Sequence, residues 1–305
     1  MMARWRAGVC GIVGLFLKNP RLQPELGSHL ATMLGVMSDR GPDSAGFAVY
    51  GNGQADRVKL TLRAATAAAI REAVASLGEA GAQALDSVFH DTHAVLSVPL
   101  SREREIRALI ARDPRLTLVG VGVRMALFKE VGLPEHVTER FELSRMSGTH
   151  GIGHTRMATE SAVTTHGAHP FSTGKDQCLV HNGSLSNHCG VRRFLSREGL
   201  VFETENDSEV AAGFLTWRMK QGASLEQALT DSLTSLDGFY TFVVGTESGF
   251  AVLRDPISCK PAVMAETDDY VAFGSEYRAL AVLPDAAKAR VFEPEPARVY
   301  AWELS

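Results

Sequence analysis

A cysteine near the start of the chain, Cys10, opens a short apolar run within residues 9–16 (VCGIVGLF). Cleavage of the peptide bond before Cys10 would leave a thiol and a free α-amine on one residue. An α-amine has a pKa of about 7.7 to 8.0, so near neutral pH it can accept the proton of the thiol. The β-prone residues that follow predict a strand whose first residue lies at a sheet edge. The pattern thus combines a nucleophile and its base in one residue.

Other interpretations of this stretch stay open. Free cysteine is among the most buried residue types, so a core position also suits Cys10. Arg4 and Arg6 before an apolar run resemble a secretory signal, but the run is short and no A-x-A cleavage site follows it. We interpret residues 1–9 as a propeptide or a misplaced translation start. Their removal changes the formal charge from −4 to −6.

Further polar positions suit acyl transfer at a cysteine. Asn182 and Gly183 offer a side-chain amide and a backbone N–H, the two donor types of an oxyanion hole, although residues 181–183 (HNG) equally predict an ordinary turn between strands. Arg156, at the end of a predicted strand, can hold a carboxylate through two parallel hydrogen bonds. Asp207 can bind an α-ammonium group or cap a helix. Arg156 and Asp207 together predict a clamp for an amino acid.

Six of the ten histidines fall within residues 150–188, which raises the question of a metal site. Glycines separate His150 from His154, and no second cysteine lies at zinc-ligand spacing, so we predict no metal. Such histidines also serve as polar turn groups or as supports for a site. The G-x-S-x-G motif of serine hydrolases is absent, and residues 120–122 (GVG) lack the third glycine of a dinucleotide fingerprint.

Composition excludes several classes of protein. The 305 residues are 45% hydrophobic and 22% charged, which is typical of a globular chain with one large core or two modest domains. A net charge of −4 without Lys/Arg runs argues against nucleic-acid binding, and no apolar segment is long enough to span a membrane. Four scattered cysteines predict no disulfide scaffold and favour the reducing cytoplasm.

Hydrophobic periodicity predicts two strand-rich stretches with helical blocks between them. Helices are predicted over 24–37, 187–198, 207–219, 224–236 and 276–283. After the first strand, strands are predicted over 46–50, 150–155, 179–181, 239–245, 250–254, 261–266 and 270–273, followed by a Pro-rich tail. The middle of the chain predicts helices over 63–85 and 101–112 and single strands over 92–98 and 116–127. We expect two sheets packed face to face with helices outside, in one domain with an insertion.

Five motifs together are similar to those of a known family. They are residues 10–14 (CGIVG), 40–46 (RGPDSAG), 153–159 (GHTRMAT), 181–183 (HNG) and 206–209 (NDSE). In this order they resemble the class II glutamine amidotransferases, which are N-terminal-nucleophile hydrolases. The resemblance covers almost the whole chain apart from an insertion at about 51–145.

The resemblance implies an α+β fold, a four-layer αββα sandwich over residues 10–305. It also implies hydrolysis of L-glutamine to glutamate and ammonia, with Cys10 as nucleophile and, through its α-amine, as base. Asn182 and Gly183 would form the oxyanion hole.

The remaining roles that the resemblance implies concern substrate binding. Arg156 and Asp207 would hold the α-carboxylate and the α-ammonium of glutamine, and Thr159 would help line that pocket. Arg40 would support the cysteine loop. No metal or cofactor is implied for this chain.

The chain most resembles the amidotransferase subunit of glutamate-synthase-like complexes, including N-methylglutamate synthase. We therefore expect a hetero-oligomer in which partner subunits carry FMN and iron–sulfur clusters and receive the ammonia. Members of the family often expose the cysteine by removing Met1 alone, whereas nine residues precede Cys10 here. The alternative is a noncatalytic or regulatory subunit that binds glutamine or glutamate in the same kind of complex.

Overall fold

The computed structural model describes residues 10–78, 85–157 and 163–304. The predicted propeptide, residues 1–9, and Thr159 lie outside the described residues. The helices are α1 Leu26–Gly35, α2 Ala67–Leu77, α3 Glu103–Ile110, α4 Pro134–Arg140, α5 His188–Arg197, α6 Asp207–Lys220, α7 Leu225–Ser235 and α8 Arg278–Ala281. The strands are β1 Gly11–Leu17, β2 Ser44–Tyr50, β3 Arg57–Arg63, β4 Asp86–His90, β5 His93–Pro99, β6 Thr117–Gly122, β7 Met125–Val131, β8 His150–Arg156, β9 Phe171–Gly174, β10 Gln177–Leu185, β11 Gly238–Gly245, β12 Gly249–Arg254, β13 Val263–Glu266, β14 Tyr270–Gly274, β15 Arg290–Phe292 and β16 Val299–Glu303.

Two sheets form the centre of the molecule. One contains seven strands in the order β15-β13-β14-β1-β8-β2-β7, and the other contains five in the order β16-β12-β11-β10-β9. Their facing sides share one buried apolar cluster, to which Ile12 and Ile152 contribute from the first sheet and Val180 and Val243 from the second. This shared core fixes the end of β1, and hence Cys10, relative to β10.

Helices cover the outer faces of both sheets. Side chains alternate along β1, so that Ile12 faces the second sheet whereas Leu15 packs outward against Leu30 of α1. On the other side, Leu179 of β10 packs against Leu215 of α6. The order helix, sheet, sheet, helix confirms the predicted four-layer αββα sandwich. Among the described helices, none has the length and apolarity that crossing a bilayer requires.

A third sheet lies in the middle region of the chain. It has the strand order β4-β5-β3-β6, and α2 and α3 pack on it through residues such as Ile70 and Ile106. The stretch 51–145, predicted as an insertion, thus contains this sheet, but it also contains β7 and α4, which belong to the sandwich. β7 pairs with β2, and Val137 of α4 lies in the same apolar cluster as α1.

Two predictions about strands were wrong. The single strand predicted over 116–127 is two strands, β6 and β7, which separate at Val123 and Arg124 and enter different sheets. The Pro-rich tail contains β15 and β16, which form the outermost strands of the seven-stranded and five-stranded sheets. Short edge strands with prolines beside them carry little local signal, and pairing with an existing sheet decides their conformation.

Candidate functional site

Cys10 lies immediately before β1, half-buried, as the sequence predicted for a residue at the start of a strand. The next residue, Gly11, pairs with Thr155 of β8, and a Cβ on Gly11 would lie 2.7 Å from Thr155 Oγ1. The strand can therefore approach β8 closely only with glycine here. The Cys10 thiol in turn lies 3.9 Å from the carbonyl oxygen of Met157, which follows β8.

Two side chains hold the main chain of Cys10. Asn182 Nδ2 donates to the Cys10 carbonyl oxygen at 3.2 Å, and Arg40 Nε donates to the same oxygen at 3.3 Å. Arg40 is itself paired with Glu276 through Nη1. The structure therefore brings the predicted Arg40 and Asn182 together at Cys10, although 172 residues separate Asn182 from the cysteine in sequence.

Burial and nearby charge act on the Cys10 thiol in opposite directions. Burial raises the pKa of this thiol above its usual value, because the thiolate is poorly solvated there. A backbone hydrogen bond at Met157 and the positive charges of Arg156 and Lys260 oppose this shift in the pKa. Raising the thiol pKa makes a nearby base more important for forming the nucleophile at neutral pH.

Arg156 ends β8 as predicted, and it is buried rather than solvated, with 6% of its surface exposed. Its carbonyl accepts a hydrogen bond from Asp43 N at 3.1 Å. A Cβ on Gly167 would lie 3.4 Å from Arg156 Nη1, so the segment after residue 163 packs against the guanidinium. A buried cation beside the cysteine suits an anionic group of a substrate.

Asn182 and Gly183 do not form the predicted turn; that prediction was wrong. They lie within β10, where they pair with Thr241 and Tyr240 of β11. Gly183 has a φ of +152°, and a Cβ there would lie 2.0 Å from the carbonyl oxygen of Phe239. Only glycine fits this position. Asn182 nevertheless contacts Cys10 directly.

Asp207 is the first residue of α6, and its neighbour Asn206 is the helix cap, whose side chain accepts from Ser208 N at 2.9 Å. The Asp207 carboxylate instead accepts from Leu185 N of β10 at 2.9 Å. It remains 21% exposed. Asp207 therefore ties α6 to the strand that carries Asn182 and keeps a partly open carboxylate.

Three of the clustered histidines, His154, His169 and His181, lie together near the start of α6. His169 Nε2 and His181 Nδ1 both contact Ser208 Oγ, at 2.9 and 2.8 Å, and the ring of His154 stacks on that of His169 at 4.0 Å between centroids. Burial lowers the pKa of each imidazole below its usual value, so each is neutral at pH 7. Within the described part of the chain, no three His, Cys, Asp or Glu side chains are arranged to hold a metal ion.

Sequence reasoning missed three residues at this site. Ser275 Oγ accepts from Ile12 N at 2.9 Å, Glu276 pairs with Arg40, and Lys260 places its charge near the thiol. All three come from the C-terminal third of the chain, where they carry no local motif. The turn after β14 brings Ser275 and Glu276 to the start of β1, because β14 pairs with β1 in the seven-stranded sheet.

Comparisons with known proteins identify a matching family and relatives of this chain. A family model described as a glutamine amidotransferase domain matches residues 154–282. The glutamine amidotransferase-like protein GlxB of Rhizobium meliloti (strain 1021) is 59% identical over 297 residues, which cover 97% of this chain and 98% of that protein. A candidate glutamine amidotransferase of Methanothermobacter thermautotrophicus is 32% identical over 305 residues, covering 96% of this chain and 99% of that protein.

The fold has a solved counterpart. The structure of glutamine phosphoribosylpyrophosphate amidotransferase from B. subtilis superposes with a TM-score of 0.62 at 20% identity, over 96% of this chain and 47% of that one. This chain thus spans about half the length of that enzyme. At this level of identity the likeness concerns the fold. The two relatives that match end to end show that the chain belongs to the glutamine amidotransferase family.

Proposed function

We propose that this protein hydrolyses L-glutamine at Cys10 and supplies the ammonia to an acceptor on a synthase subunit. The observation that carries the proposal is the convergence of Asn182 and Arg40 on the main chain of Cys10, with Arg156 and Lys260 close enough to act on its thiol. A cysteine that only filled the apolar core would not be surrounded by these polar and charged side chains.

The reaction begins once residues 1–9 are removed. The new α-amine of Cys10 takes the thiol proton, and the sulfur attacks the amide carbon of glutamine, which converts the carbonyl oxygen into an oxyanion. Asn182 Nδ2 has two hydrogens, so it can keep its bond to the Cys10 carbonyl and donate the second hydrogen to the oxyanion. The backbone N–H of Gly183 is the second proposed donor.

Collapse of the tetrahedral intermediate breaks the carbon–nitrogen bond. The departing nitrogen receives a proton from the α-ammonium and leaves as ammonia, while the acyl group stays on the sulfur as a thioester. Water then attacks the thioester with the α-amine as base, which releases glutamate and restores the thiol. The proton taken from the thiol thus leaves with the ammonia, and the attacking water supplies the proton that restores the thiol.

The two ends of glutamine determine its orientation. We assign its α-carboxylate to Arg156, a buried guanidinium that can form two parallel hydrogen bonds. We assign its α-ammonium to Asp207, whose carboxylate is partly open at the start of α6. Thr159 is proposed to line the same pocket, and Arg40 to hold the cysteine loop through the Cys10 carbonyl.

One experiment tests hydrolysis directly. The protein is expressed in its native host, its N-terminus is determined by mass spectrometry, and glutamate release from glutamine is measured for the wild type and for Cys10→Ala. We expect residues 1–9 to be absent from the wild type and Cys10→Ala to be inactive. Retention of Met1, with glutamine bound but not turned over, would instead support a noncatalytic or regulatory subunit.

The acceptor side of the proposal concerns partner subunits. Amidotransferases transfer the amide nitrogen, and hydrolysis alone would release ammonia into water. We place the acceptor on separate subunits of a glutamate-synthase-like enzyme, such as N-methylglutamate synthase, that carry FMN and iron–sulfur clusters. A cytoplasmic location would keep the Cys10 thiol reduced.

Purification from the native host through a tag on this chain is expected to bring down a subunit with a flavin absorption spectrum and bound iron. A chain that purifies alone at native abundance contradicts this assignment.

A further inference from the structure

A cleft separate from the Cys10 site lies between the third sheet and the αββα sandwich. Here β6, the outermost strand of the third sheet, faces β9, the outermost strand of the five-stranded sheet, across a cleft of about 420 Å³. A volume of this size suits a small-molecule ligand better than a macromolecule. Cys10 is not among the residues that line it.

The cleft collects positive charge from five separate parts of the chain. Its cationic lining residues are Arg63, Arg107, Lys129, Lys175 and Lys220. They come from β3, α3, β7, the β9–β10 turn and the end of α6, so no single helix or strand accounts for their proximity. Like charges repel one another, and gathering them around a concave surface is unfavourable without an anion between them.

Few carboxylates of the cleft compensate this charge. Its acidic lining residues are Glu203 and Glu209. The Glu209 carboxylate is already occupied, since it accepts from Glu203 N and Thr204 N, both at 2.8 Å, and from Thr204 Oγ1 at 2.7 Å. Glu203 is exposed and lies 4.0 Å from His166 Nε2. Arg107 is paired with Glu103, outside the lining, at 3.1 Å, so the four cations Arg63, Lys129, Lys175 and Lys220 remain against the two carboxylates of the cleft.

Lys129 is the most informative of the cations because it is buried, with 7% of its surface exposed. Its ammonium donates to the carbonyl oxygens of His166, Ala168 and Pro170, at 3.2, 2.9 and 3.4 Å. Among the described residues, no carboxylate oxygen lies within 4.0 Å of Lys129 Nζ. The carboxylates of Glu209 and Glu203 act on this charge from a distance, yet burial still lowers the pKa of the ammonium to about 8, so the buried charge is only partly compensated.

Arg63 provides a second indication that the positive charge of the cleft is only partly compensated by its described residues. Its Nη2 lies 4.0 Å from Glu130 Oε2, at the limit of an ion pair. Its Nε is buried and, within the part of the chain that the structure describes, donates to no acceptor. A buried guanidinium N–H without an acceptor is uncommon and suggests that an acceptor binds there.

We propose that this cleft binds a small, multiply charged anion, such as a phosphorylated or polycarboxylate metabolite. The anion would lie between Arg63, Lys175 and Lys220, over the buried ammonium of Lys129. Guanidinium and ammonium groups from several elements are the usual partners of phosphate and carboxylate groups.

The test is calorimetric titration of the full chain carrying Cys10→Ala, so that the result does not depend on glutamine hydrolysis. Inorganic phosphate and citrate are titrated separately at constant ionic strength, with chloride as the blank. We expect saturable binding of at least one of them in the millimolar range or tighter, and which one binds identifies the class of anion. Absence of saturable binding of both anions overturns the proposal.

Variants localise the binding. Lys220→Gln removes an exposed cleft charge at the end of α6, and we expect it to weaken binding about three- to fivefold. Arg63→Gln is expected to weaken binding about tenfold. Lys288→Gln removes an exposed lysine outside the cleft and is the matched control. Equal weakening by Lys288→Gln and Lys220→Gln would indicate general electrostatic attraction and contradict a site.

Discussion

The surrounding protein disfavours the thiolate of Cys10, which is why the proposed reaction needs the α-amine as a base. Burial is the largest influence on the pKa of this thiol and raises it, and the charges of Arg156 and Lys260 only oppose that effect. A raised pKa means a smaller thiolate fraction at any pH below it. The unprocessed chain is therefore expected to be a poor nucleophile at neutral pH.

This expectation can be measured by alkylation. In a full-length chain that keeps residues 1–9, iodoacetamide is expected to modify Cys10 more slowly at pH 7 to 8 than in the same chain denatured in urea. The difference should shrink as the pH rises past the usual pKa of a thiol, about 8.5. Peptide mass spectrometry follows Cys10 separately from the exposed Cys189 and Cys259. Equal rates in the folded and denatured chain would show that burial does not control this thiol.

The proposed role of Asn182 concerns one atom of the reaction, the oxyanion. If its Nδ2 donates to the oxyanion, Asn182→Ala in the processed protein should lower kcat for glutamine hydrolysis about a hundred- to a thousandfold. KM should change little, because the oxyanion exists only in the transition state and the intermediate. Steady-state glutamate release measures both constants. Asn52→Ala, in an exposed loop, is the control. A change confined to KM would place Asn182 in substrate binding instead.

At the scale of elements, the start of α6 and the middle of β10 form one polar unit. Ser208 Oγ donates to Asp207 Oδ1 at 3.3 Å, so its lone pairs face His169 and His181. Both imidazoles are neutral because burial lowers the pKa of each. Each neutral ring therefore has one N–H. Because the Ser208 hydroxyl donates to Asp207, it accepts from both rings, and we assign the N–H of each ring to the nitrogen that faces Ser208. The donor and both acceptor positions of the Ser208 hydroxyl are thus in use, and the hydroxyl holds Asp207 in place.

Removing this hydroxyl should affect substrate binding more than chemistry. Ser208→Ala leaves two buried imidazole N–H groups without an acceptor and is expected to lower the free energy of unfolding by about 1–3 kcal/mol. Because Asp207 loses a donor, KM for glutamine should rise about three- to tenfold while kcat is retained. Urea unfolding and steady-state kinetics measure the two effects.

The matched control is Ser196→Ala, at an exposed position of α5. It should change neither quantity measurably. A loss of stability in Ser208→Ala without any change in KM would show that Ser208 supports the fold but does not position Asp207.

The same elements show what local sequence can predict. The strand after Cys10 and helix α6 were predicted well, because apolar spacing and a polar helix start are local signals. The Asn182-Gly183 dipeptide is also a local signal, for a turn, but pairing with β11 overrides it and keeps both residues in β10. The contact between Asn182 and Cys10 is a tertiary contact that no local pattern specifies; the donor chemistry of Asn182 and the family resemblance suggested only that the two residues act together.

At the scale of the whole molecule, Asp176 joins the third sheet to the sandwich. It lies in the turn between β9 and β10 and is 2% exposed. Its carboxylate accepts from the backbone N–H groups of Val123, Arg124 and Met125, at 2.6, 2.9 and 3.0 Å. These residues connect β6 to β7, so one carboxylate fixes the point at which the chain passes between the sheets. No pattern in the sequence indicated this role.

Asp176→Asn tests that junction. Asp176 has a φ of +53°, which asparagine also tolerates, so the substitution changes hydrogen bonding with little backbone strain. The amide keeps one acceptor oxygen and points an NH₂ group at backbone donors, so we expect a loss of about 1–3 kcal/mol in the free energy of unfolding by urea. Asp285→Asn, at an exposed residue with the same φ of +53°, should change stability by less than about 0.5 kcal/mol. If both variants lose the same amount of stability, the junction does not depend on the three hydrogen bonds from Val123, Arg124 and Met125.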